Sequence, residues 1–174
     1  MHNEWIALIA EGGAETGILS VLLDNDELIF NRGDLLDNDI IRSRSASSFQ
    51  KLHLDKAMNK KVHIYRVLDS RTEKFNLSVA YKKRVSSIES LYTRPEIEML
   101  YIINEGHYNT FKRSNLKPSL YCKQCMNLPK GHIKSSEYVI NYWSKNPVGL
   151  VTTIKEYAKL SDDPIDKTIA AILK

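Results

Sequence analysis

A run of apolar residues that stops on a carboxylate and turns through two glycines, Trp5-Ile-Ala-Leu-Ile-Ala-Glu11-Gly-Gly-Ala-Glu15, is the segment of this chain best suited to chemistry. A strand that ends on an acid and turns tightly into a helix presents that acid in the crevice outside the strand ends of an α/β sheet. A second apolar run, Val62 to Leu68, stops in the same way at Asp69, inside Asp69-Ser-Arg71-Thr-Glu73. If the two strands are adjacent and parallel, Glu11 and Asp69 lie side by side. Carboxylates gathered there repel one another unless a hard cation lies between them, and Mg²⁺ with oxygen ligands is the usual solution. Glu96 and Glu98, just after Pro95, form a third acidic position. Each has a plainer explanation. Glu15 and Glu98 would complement a helix dipole, and Asp69 would close an Asx turn beside a surface pair of Arg71 and Glu73.

Charge is distributed unevenly around these acids. Residues 1–41 carry nine acids against one base, Arg32, whereas residues 106–136 carry six bases (Lys112, Arg113, Lys117, Lys123, Lys130 and Lys134) and no acid. An acidic site beside a basic segment suits metal ions acting on a polyanion, because the bases neutralise phosphates while the acids hold metal; the plainer reading is that such charge runs are solvated faces. Glu11-Gly-Gly-Ala-Glu-Thr-Gly17 lacks the G-x-G-x-x-G spacing of a dinucleotide loop, and Glu15 would stand where an incoming phosphate belongs.

The elements that must position these residues alternate strand and helix. Trp5 to Ala10 reads as a buried strand and Ala14 to Leu23 as a helix stopped by Asp24-Asn-Asp26. Leu28 to Phe30 or Ile40-Ile41 supplies a second strand, and residues 43–58 hold a serine-rich turn and then a helix with Phe49, Leu52 and Ala57. The strand at Val62 follows. That order predicts a parallel sheet with right-handed crossovers. Leu77 to Leu91 reads as helical, although Val79 and Tyr81 also suit a strand. Further helices are expected at 96–105 behind Pro95, and at 137–144, 150–160 and 165–173.

The combination Ala-Glu11-Gly-x-x-Glu15, a strand ending at Asp69 in D-x-R, and Arg-Pro95-Glu-Ile-Glu98-Met-Leu resembles the Toprim fold, and within it the RloB-like branch. The resemblance covers roughly residues 4–105. It implies a Rossmann-like, four-stranded parallel sheet between helices, followed here by a helical C-terminal third: a Toprim-like α/β core over residues 1–110 and an extension over 111–174 packed on it. It also implies Mg²⁺ or Mn²⁺ held by Glu11 and Asp69 with Glu98, in a nuclease of bacterial or phage-defence type acting on DNA or RNA. The family's second aspartate falls on Arg71. A cation there either repels a second metal or replaces it, so either Glu73 folds back as a substitute ligand or the site holds one metal or is inactive; in the active case Arg71 stabilises transition-state charge, and Glu11, Asp69 and Arg71 form the catalytic set. Lys112, Arg113, Lys117 and Lys123 would then hold the nucleic-acid backbone. The alternative that Arg71 motivates is a catalytically degenerate module binding nucleic acid or a protein partner, such as one encoded in a defence operon.

Cys122-Lys-Gln-Cys125 with His132 offers three zinc ligands, and structural zinc needs four; His107 is a conceivable fourth, but two incidental thiols are the expected reading. With no apolar stretch of membrane-helix length, no signal-peptide pattern and only 2 cysteines, the expectation is a cytoplasmic protein with no membrane partner.

Overall fold

A computed structural model describes residues 3–94, 96–129 and 132–174. Three strands, β1 (Trp5–Ala10), β2 (Val62–Leu68) and β3 (Val85–Tyr92), form one sheet in the order β1-β2-β3. Both pairings are parallel, with Trp5 opposite Val62, Ala10 opposite Val67, and Leu68 opposite Tyr92. One extra residue in β3, Ser86, makes a bulge opposite the start of β2, after which the register runs on without interruption. Glu11, Asp69 and Thr93 therefore leave the sheet at the same end, past the C-termini of the three strands.

The expected fourth strand is absent among the described residues. The segment 35–41 runs along the free edge of β1 but pairs with it only through isolated bridges, Ile6 with Leu35 and Ile9 with Ile41. Asp37 and Asn38, at φ 62° and 58°, turn the backbone through the left-handed region and carry it off the edge between those bridges. Leu28, the other candidate, makes a single antiparallel bridge to Leu173.

The central strand is covered on both faces, as a parallel sheet requires. On one face, Ile6, Leu8, Ala10, Tyr65 and Val67 join a core shared with α1 (Gly13–Asp24), α4 (Met99–Asn104), α7 (Ser136–Trp143) and α8 (Pro147–Leu160). On the other, Ala7, Ile9, Val62 and Ile64 pack with Phe49, Leu54, Phe75 and Leu77. Close approach of α1 to α7 depends on Gly17, where an added Cβ would stand 2.8 Å from Val139 Cβ. At Gly13 the backbone carbonyl of Lys134 comes equally close, 2.8 Å from the position of an added Cβ. That contact brings the chain entering α7 up to the first turn of α1.

Several elements depart from their sequence patterns. The helix expected within 43–58 is only α2 (Ala46–Phe49) with a wide π-turn over Gln50–Leu54, and Leu52 is 72% exposed. The Leu77–Leu91 segment holds one helical turn, α3 (Val79–Lys82), before β3. β3 buries little besides Leu91, so its sequence lacks the apolar run of a covered strand; pairing with β2 decides its conformation. Two helices fill the basic segment, α5 (Tyr108–Ser114) and α6 (Pro118–Cys125), while residues 165–172 form two short 3₁₀ turns instead of a helix. Among the described residues, no helix is long and apolar enough to cross a membrane.

Candidate functional site: an acidic cavity at the strand ends

A cavity of about 420 Å³ opens where the three strands end. Six carboxylates line it: Glu11 from the end of β1, Glu15 from the first turn of α1, Asp69 and Glu73 from the loop after β2, and Glu96 and Glu98 from the turn leading into α4. Among the described residues, two cations, Arg44 and Lys134, share the lining. The parallel register accounts for Glu11 and Asp69, since Ala10 and Val67 are paired one and two residues earlier.

The charges fall into two neighbourhoods. Glu11 faces Glu73, with Arg44 Nε 3.1 Å from Glu11 Oε2, while Glu11 Oε1 is buried and has no hydrogen-bond donor among the described residues. Burial raises the Glu11 pKa, the Glu73 charge raises it further, and Arg44 and Arg66 offset only part of this. Beneath this pair lies Arg66, 2% exposed within β2, reaching Glu73 at 3.2 Å and stacking its guanidinium 4.4 Å from the Phe75 ring centre. Burial lowers the Arg66 pKa against the pull of Glu73 and Glu11.

On the other side, Glu15 is raised mainly by burial and then by the charges of Asp69 and Glu98. Glu98 is 1% exposed and meets Lys134 Nζ at 2.6 Å. Burial works against the Lys134 ammonium, but the bond to Glu98 together with the charges of Glu98, Glu96 and Glu15 outweighs it and the lysine pKa is raised. Glu96 accepts the backbone N–H of Ser119 at 2.8 Å, an acid on the first turn of α6. Among the described residues, no three His, Cys, Asp or Glu side chains stand as a ready group around one ion.

Arg71 is not part of the cavity lining. Its guanidinium pairs with Asp163, which is 4% exposed, and lies 5.7 Å from the Tyr92 ring centre. The surface pair of Arg71 with Glu73 is replaced by two separate ones, Arg71 with Asp163 and Arg66 with Glu73. Lys112 and Arg113 on α5, Lys117 at the start of α6 and Lys123 on α6 are exposed and line no part of the acidic cavity. Cys122 is buried and free, with its thiol pushed up to about 12 by burial, and Cys125 is exposed and free. Pro95 and Lys130 lie outside the described residues.

Sequence patterns pointed to Glu11, Asp69, Glu73 and Glu98 but not to the roles of Arg44, Arg66 and Lys134. Arg66 interrupts an apolar strand, which is the one signal that marked it. Compared with known proteins, the chain matches no family model, no curated protein and no solved structure.

Proposed function

We propose that the chain is a Mg²⁺- or Mn²⁺-dependent phosphodiester hydrolase acting on DNA or RNA. The observation that carries this reading is the gathering of six carboxylates at the open ends of a parallel sheet, with burial and mutual repulsion raising Glu11 and Glu15. The donors are all hard oxygens, and Glu11 Oε1 is buried with no hydrogen-bond donor on it among the described residues. Mg²⁺ keeps several waters and takes one or two carboxylates plus substrate phosphate, so it needs no cage of three protein ligands. Glu11 and Glu73 on one side, or Asp69 and Glu98 on the other, would hold it.

A bound divalent ion supplies Lewis-acid polarisation of a phosphoryl oxygen and lowers the pKa of water. The chain's own side chains do the rest. Arg44 and Lys134, at the rim on long stems, neutralise phosphate oxygens entering the cavity. Glu15, raised by burial, accepts and returns a proton near neutral pH more readily than an ordinary glutamate. Arg66 holds Glu73 in place from below. The exposed cations of α5 and α6 bind the nucleic-acid backbone outside the cavity. The Toprim resemblance of the motifs around Glu11, Asp69 and Glu98 supports the same reading, with the departure that Arg71 is engaged by Asp163.

A cleavage assay on single- and double-stranded DNA and RNA tests this. Activity is expected to require Mg²⁺ or Mn²⁺ and to fall roughly a hundredfold or more in Asp69→Ala, the scale of losing a charge-stabilising group. Asp69 is exposed, so this variant keeps its fold. Cleavage indifferent to chelation or to the substitution overturns the proposal. The second reading, a degenerate module that binds nucleic acid or a protein partner without hydrolysis, is favoured by the Arg71–Asp163 pair. It predicts no rise in Tm with millimolar Mg²⁺ or Mn²⁺, whereas a metal site that binds only the folded state raises Tm by mass action.

A further inference from the structure

Among the described residues, two exposed cations reach buried carboxylates, Arg71 on Asp163 and Lys134 on Glu98, and of the two Lys134 lines the acidic cavity. Its side chain is 59% exposed, yet its ammonium meets a carboxylate that is 1% exposed. The backbone behind it is fixed. Its carbonyl packs on Gly13, Ser135 N–H donates to His132 at 2.8 Å, and the Ser135 hydroxyl accepts the Tyr138 N–H at 3.2 Å to cap α7. A four-carbon stem from that fixed point can swing its charge out to solvent without moving the fold. The same ammonium also acts on Glu96 and Glu15, so it is the compensating charge for one half of the cavity. Arg44 is a looser counterpart, 86% exposed and set on a carboxylate that still meets water.

We propose that Lys134 is a tethered counter-ion. Its ammonium occupies the position on Glu98 that a divalent cation takes, and it leaves when that cation binds, becoming free to meet an incoming phosphate. The inference rests on the metal reading above and adds a regulatory consequence to it. Divalent affinity is set by competition with a side chain of the same protein, so the site stays neutralised at low metal concentration. A buried carboxylate left without any counter-charge is costly, which is why the vacated site needs an occupant of its own.

Two measurements on the full chain test this. The first is Mn²⁺ titration by calorimetry of the wild type, Lys134→Met, and Lys123→Met as a control that loses the same charge on α6. Lys134→Met is expected to bind Mn²⁺ about tenfold more tightly, the scale of removing one competing unit charge near a surface, with Lys123→Met unchanged. Equal affinities in all three, weaker binding by Lys134→Met, or equal tightening in both variants overturns the counter-ion and leaves the metal site standing. No Mn²⁺ binding by any of them overturns the metal reading as well. The second measurement needs no variant and so does not depend on Lys134→Met folding: acylation of lysines by an amine-reactive ester, read by mass spectrometry on the wild type. Saturating Mg²⁺ is expected to raise Lys134 labelling several-fold relative to Lys123, and unchanged labelling overturns the proposal.

Discussion

Glu15 shows how a single residue can carry both a structural and a chemical meaning. In the first turn of α1 it complements the helix dipole, yet burial and the charges of Asp69 and Glu98 raise its pKa. A carboxyl whose folded pKa lies above its unfolded value binds its proton more tightly in the folded state. Its stabilising contribution is full below the ordinary value of 4.5 and is lost as pH rises through the folded value. Glu11 acts in the same direction. Without divalent ions, stability is therefore expected to fall as pH climbs from 4.5 toward neutrality, and Glu15→Gln should flatten that slope in urea titrations at a series of pH values. A slope that is identical in the variant would remove Glu15 from the acidic group. Arg66 has the opposite character, a buried cation under two acids. Arg66→Met keeps the packing on Phe75 but loses a charge-assisted bond to Glu73, with an expected cost of roughly 1–3 kcal/mol that leaves the urea m-value unchanged.

At the level of elements, α1 is the part that joins core and cavity. Its N-terminus presents Glu15, its C-terminal half buries Leu19 and Leu22, and Gly17 lets it lie against α7. Gly17→Ala gains about 1 kcal/mol of helix propensity but sets a methyl 2.8 Å from the Val139 side chain, which is 1% exposed and has nowhere to go. Overpacking of roughly 1–3 kcal/mol wins. A lower urea midpoint is the expected result, and an unchanged or higher one would mean that α7 yields freely. The apolar runs of β1 and β2 and the helical pattern of α1 were legible because each is buried by a continuous stripe of its own residues. β3 was not, since Ser86, Ser87, Glu89 and Ser90 give an edge strand no apolar signature and its identity comes from hydrogen bonds to β2. The missing strand beside β1 was misread for the converse reason: Ile40 and Ile41 are apolar and buried, but the left-handed turn at Asp37 and Asn38 interrupts the pairing.

At the scale of the whole molecule, six carboxylates share one cavity and four exposed cations, Lys112, Arg113, Lys117 and Lys123, stand outside it on a separate pair of helices. If those four contact phosphates, neutralising them all should flatten the plot of log affinity against log salt by roughly 0.7–0.9 units for each lost contact. Metal binding in the cavity should remain as it was. An unchanged salt slope would make the basic helices a solvated face or the docking surface of an acidic protein.

The sequence by itself determined the parallel α/β class, the strand ends at Glu11 and Asp69 and the asymmetry of charge, because periodicity and strand-end turns are local properties of the chain. Only the tertiary structure decided which counter-charges belong to which acids. Lys134 reaches Glu98 from 36 positions later because Gly13 admits its backbone to α1, and Arg71 turns to Asp163 across 92 positions, away from the cavity its motif suggested. Ion pairs between distant segments depend on where side-chain tips arrive after packing, and no spacing along the chain encodes that arrival.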